Sequence, residues 1–188
     1  ECFAVNEVIN TDADWVVGSS PSTVRFEMHH CWLPSRTKGT FKKAHVDTVQ
    51  LWVAGAGEHR DAGVYNSVLH PSSNASFQAT GLAGTFTMHD SWFGEHPDSY
   101  HGVNLDAAAG EIVTLNAANN IFETSIVGRD VDAPARKCFT IGSWTGNRHT
   151  QDLVLNSGSR ARPSGNTWGA SKRAWPALDA SWPECPAM

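Results

Sequence analysis

From Thr23 to Leu33 the chain alternates strictly. Val24, Phe26, Met28, His30 and Trp32 fall on one side, and Arg25, Glu27, His29, Cys31 and Leu33 on the other. A period of two over this length predicts a β-strand with one face in the core. Shorter runs of the same kind follow at Thr48–Ala54, Ala75–Thr80, Gly84–Asp90, Ile112–Asn116, Ile121–Val127, Lys137–Trp144 and Asp152–Asn156, with Phe3–Ile9 ahead of them. Turn-forming stretches punctuate them: Gly18-Ser19-Ser20-Pro21, Gly55-Ala56-Gly57, Pro71-Ser72-Ser73-Asn74 and Ala118-Asn119-Asn120. No helical periodicity is sustained before Ser157, and no repeat stands out. Short strands at this spacing predict an all-β, single-domain β-sandwich or jelly roll.

The expected domain is 1–156, and 157–188 is expected to form an irregular Trp- and Pro-rich arm packed on it. Trp168, Trp175 and Trp182 recur every seven residues, but Pro176 and Pro183 follow two of them directly and oppose a helix. Those rings therefore read first as packing anchors.

Composition narrows the partners. A 188-residue chain suits one core. Its net charge of −5 and pI near 6.0 give no general attraction to nucleic acid or anionic lipid. No apolar run reaches the roughly 20 residues of a membrane span. The start at Glu1, without Met, fits a mature form after signal cleavage. Cys2, Cys31, Cys138 and Cys185 are widely spaced, and none forms a C-x-x-C pair. An even count so arranged suggests a disulfide-stapled protein that is secreted, periplasmic or on the cell surface. The expected pairs are Cys2–Cys31 and Cys138–Cys185, since each ties a terminal segment to a strand. Each would contribute ~3–4 kcal/mol.

Nine histidines suggest metal chemistry. By alternation, His30 lies on the apolar side of its strand with Met28. His89 ends another strand, and His96 and His101 follow in the loop from His89 to Asn104. Imidazoles from a strand and a loop can assemble a transition-metal site, and Met28 adds a soft ligand that favours copper over other transition metals. The expected ligand set is His30, His89, His96, His101 and Met28, with Trp32 and Trp92 flanking it. This reading makes the chain a metal-binding protein.

A second reading is a carbohydrate-binding or polysaccharide-cleaving protein. Eight tryptophans suit sugar stacking. Tyr100 beside His101 would serve as an acid/base pair, and Asp90, Glu95, Asp98 and Glu111 are the candidate carboxylates. A third reading is a structural or adhesive surface protein, with basic stretches at Arg36–Lys43 and Arg160–Arg173 meeting an acidic partner. No nucleophile elbow, phosphate loop or dinucleotide fingerprint is present.

Overall fold

The computed structural model describes residues 16–20, 25–33, 47–53, 57–70, 72, 74–94, 102–130, 132–133, 135–156 and 158–171. The strands wind into a parallel β-solenoid, which corrects the expected sandwich or jelly roll. Its first face stacks β1 (Val16–Ser20), β4 (Asp47–Val53), the first half of β7 (Ala75–His89), β9 (Val103–Ala107), β12 (Ile126–Arg129) and β15 (Leu153–Leu155). The second face stacks β2 (Glu27–His29), β5 (His59–Tyr65), the rest of β7, β10 (Val113–Ala118) and β13 (Phe139–Thr145). The third stacks two-residue strands: β3 (Trp32–Leu33), β6 (Val68–Leu69), β8 (Trp92–Phe93), β11 (Ile121–Phe122) and β14 (Arg148–His149). Five rungs on this face enclose four full turns. β16 (Ser159–Ala161) closes the first face by pairing antiparallel with β15.

Like residues stack because the rungs are in register. On the first face Val49, Phe77, Val103, Ile126 and Leu153 form one buried column. On the second, Met28, Val64, Met88, Ala117 and Trp144 form another. The third contributes Leu33, Leu69, Phe93, Phe122 and His149, all nearly inaccessible. Burial of these columns supplies the main driving force for folding.

The corner between the second and third faces turns on one left-handed residue per rung. His30, Asn66, Asp90, Asn119 and Gly146 have φ between 47° and 67°. Asn, Asp and Gly enter that region at least cost; His30 is the exception. Behind each corner stands a small buried group that ties rung to rung. The Cys31 N–H donates to Ser67 Oγ (3.1 Å) and the Ser67 N–H to Ser91 Oγ (3.1 Å). Ser91 N–H donates to Asn120 Oδ1 (3.0 Å), Asn120 N–H to Asn147 Oδ1 (2.9 Å) and Asn147 N–H to Asn166 Oδ1 (2.8 Å). Side chains thus satisfy backbone donors that the corner turns away from the sheet ladders.

The left-handed corner also explains why alternation misplaced His30. The chain reverses faces there, so Met28 is buried, His30 is exposed, and Cys31 and Leu33 return to the core. The predicted Ile121–Val127 strand likewise splits into β11 and β12. Conversely, the two runs from Ala75 to Asp90 merge into β7, which bends at Gly81 (φ 69°). A Cβ at Gly81 would lie 2.5 Å from Val53 Cγ2. The Phe3–Ile9 strand lies outside the described residues.

The disulfide expectation is corrected at Cys138, which is a buried free thiol and not the partner of Cys185, whereas Cys31 is disulfide-bonded. Cys138 sits in the core where β13 begins, and burial pushes its pKa up. Cys2 and Cys185 lie outside the described residues.

His149 closes the third-face stack. Its ring centroid lies 4.9 Å from that of Phe122 and 4.0 Å from that of Trp168, stacked nearly parallel to both, and its Nε2 accepts the Trp144 indole N–H at 3.1 Å. Trp168 is half-buried against the core through this stack; Trp175 and Trp182 lie outside the described residues. Burial lowers the His149 pKa to about 4, with Asp152 pulling weakly the other way. A folded pKa below the unfolded value means the contribution is complete above pH ~6.5 and is lost as pH falls toward 4. The expected loss is about 3 kcal/mol, at 1.36 per pKa unit. His59 and His70 shift in the same direction through burial. Urea titrations across this window are expected to show the loss in the parent and a flatter profile in His149→Phe. Parallel profiles would refute the assignment.

Candidate functional site

Among the described residues the structure does not bring the predicted metal ligands together. Met28 points into the core, while His30 is exposed at the corner. His89 lies on the outer side of the second face, with Nδ1 2.9 Å from Asp90 Oδ2. Tyr65 separates it from the first rung: its ring stacks 4.6 Å from His29 and 4.5 Å from His89. Among the described residues no group of three His, Cys, Asp or Glu side chains is placed to hold a metal. This corrects the metal-binding expectation for them; His96 and His101 lie outside the described residues. Trp32 and Trp92 are half-buried on the third face, Trp32 with its ring edge-on to His70 at 4.9 Å.

The outer side of the first face is organised differently. Gln50, Gln78 and Asn104 stand in one column, followed by Val127 and Val154. Neighbouring rungs are ~4.8 Å apart, so the three carboxamides repeat at that interval. Gln78 Oε1 accepts from Asn74 Nδ2 at 3.2 Å, and Asn104 Oδ1 is buried without a hydrogen-bond partner. A parallel outer column holds Trp52, which is 44% exposed, then Thr80, Asp106 and Arg129.

Both long edges of this face are hollowed. Where the strands end, a cavity of about 470 Å³ is lined by Val53, Glu58, Thr80, Gly81, Asp106 and Asp132, with Gly57 and Ala107–Ala109. Where β12 and β15 begin, a second of about 310 Å³ is lined by Ser125, Thr150, Gln151, Asp152, Val154, Arg160 and Arg162. The rim of the larger is braced. Arg136 donates from Nε to Asp130 Oδ2 (2.6 Å), from Nη1 to the Glu111 carbonyl (2.7 Å) and from Nη2 to the Ala108 carbonyl (2.9 Å). Burial raises the Asp130 pKa, but the Ala133 N–H, the Arg136 side chain and the Asp132 N–H outweigh it and hold the carboxyl low. Asp130 and Arg136 thus fix one turn against the next as a charged clamp.

Sequence reasoning placed the candidate carboxylates elsewhere. Asp90 lies at the corner after the second face, Glu111 pairs with Arg60 (3.4 Å), and Glu95, Asp98 and Tyr100 lie outside the described residues. Glu58, Asp106 and Asp132 come from three rungs and share no local motif. Only the strand register would have joined them. Among the described residues no helix is long and apolar enough to cross a membrane. Comparison with known proteins finds no matching family model, no matching curated protein and no matching solved structure.

Proposed function

We propose that the chain binds a glycan along the outer side of its first face. One observation carries this reading: a column of carboxamides and an exposed tryptophan run beside a cavity of about 470 Å³ rimmed with carboxylates. Carboxamides both donate and accept, which suits the hydroxyl pairs of a sugar, and an indole face suits its C–H surface. Repetition of those groups from rung to rung fits a ligand that itself repeats. The lining is too polar and open for an apolar small molecule, and carboxylates oppose a phosphate backbone.

Affinity electrophoresis of the intact chain in gels carrying soluble polysaccharides tests the reading. At least one polysaccharide is expected to retard the chain, and Trp52→Ala combined with Gln78→Ala is expected to restore much of its mobility. Unretarded migration across neutral, amino and acidic polysaccharides would refute the reading.

A further inference from the structure

We infer, resting on the glycan reading above, that the saccharide carries acidic groups and that the second cavity seats one of them, a carboxylate or sulfate, between Arg160 and Arg162. The outer column of Gln50, Gln78, Asn104, Val127 and Val154 ends at Arg160, which pairs with Val154 across the antiparallel β16. Arg162 lies two residues further along extended chain and so projects from the same side. Both guanidiniums reach one carboxylate: Arg162 Nε is 2.5 Å from Asp152 Oδ1, and Arg160 Nη1 is 4.0 Å from Asp152 Oδ2. Among the described residues lining this cavity of about 310 Å³, Asp152 is the sole anion against two cations. One positive charge is left over.

A guanidinium has five N–H donors in one plane, so a contact with Asp152 leaves most of them for a ligand. The side chains of Arg160 and Arg162 are 78% and 62% exposed, whereas that of Asp152 is 17% exposed. The carboxylate therefore holds the two cations in place and leaves their outer donors accessible. Thr150 stands in the same wall, and its Oγ1 is buried without a hydrogen-bond partner. A hydroxyl so placed is a donor lacking an acceptor, a need that an anion's oxygen meets. The carboxylates of the larger cavity stand where the first-face strands end and do not line this one. Complementary charge is thus confined to the edge where β12 and β15 begin.

Calorimetry of the full chain tests the inference, at low salt with a chelator present. The probes are short oligomers of polygalacturonate, the same oligomers as methyl esters, and oligomers of a sulfated galactan. The ester keeps the sugar and loses the charge, and the sulfated oligomer tells the two kinds of anion apart. At least one acidic oligomer is expected to bind at least roughly tenfold more tightly than the ester. Arg160→Gln with Arg162→Gln is expected to remove that advantage and leave the ester unchanged. Arg160→Gln alone, at the more exposed side chain, is expected to remove part of it and serves if the double variant is unstable. Ester binding as tight as that of both acids, or an advantage that survives these variants, would overturn the inference while leaving a glycan site. Failure of all three oligomers to bind would also overturn it, and the glycan reading would then rest on the electrophoresis described above.

Discussion

Asn120→Ala is expected to destabilise the solenoid by about 4 kcal/mol, reckoning roughly 1–3 for each buried polar group left without a partner. The carboxamide occupies the middle of the corner ladder. Its Oδ1 accepts the Ser91 N–H, and its Nδ2 donates to the Met88 carbonyl and Asn147 Oδ1, both at 2.9 Å. Alanine strands the Ser91 N–H and the Met88 carbonyl in a region closed to water. Asn120→Ser is the informative control, because Ser67 and Ser91 fill the equivalent position in earlier rungs with a hydroxyl acceptor. It is expected to recover about half of the loss. Urea denaturation at constant m-value measures both, and a loss below about 1 kcal/mol for alanine would show that the ladder is not a stabilising element.

Phe122→Ala is expected to cost about 3–5 kcal/mol, as for other buried aromatics cut to alanine. Phe122 is fully buried, with Phe93 at 5.1 Å on one side, His149 at 4.9 Å on the other and Trp144 at 5.9 Å. Rigid strands on three faces leave little room for the site to collapse. Phe122→Leu should be much milder, because Leu33 and Leu69 occupy the same column in the first rungs. Thermal unfolding with near-UV circular dichroism follows both. Equal loss in the two variants would indicate that aromatic stacking, rather than volume, holds the column. Effects at Phe122 and Asn120 share a rung and are not expected to add.

Much of the strand content was legible, because inward-facing positions alternate with outward ones in a solenoid as they do in a sandwich. Asp47–Val53 and Phe139–Thr145 fall within a few residues of the predicted runs. The winding was not, for two physical reasons. The third-face strands are two residues long, too short for any period to show. The rungs also differ in length: ladder residues are separated by 36, 24, 29 and 27 positions from Cys31 to Asn147. A fixed-period search fails on such spacing. The signal present was local. Asn66-Ser67-Val68-Leu69, Asp90-Ser91-Trp92-Phe93, Asn119-Asn120-Ile121-Phe122 and Gly146-Asn147-Arg148-His149 each set a left-handed former and a small polar residue before the third-face pair. His30-Cys31 departs from that pattern, so strict alternation read straight through the first corner and sent His30 into the core. The carboxylates of the larger cavity were hidden for a related reason, since only register makes neighbours of Glu58, Asp106 and Asp132.

The sheet hydrogen bonds, the polar corner ladder and the ring stack all run in one direction, along the solenoid axis. Tension applied along that axis therefore loads a few bonds at a time and peels turns from an end, giving successive small extensions rather than one abrupt rupture. Tension across the axis would instead load the continuous covalent coil, and the molecule is mechanically stiff in that direction.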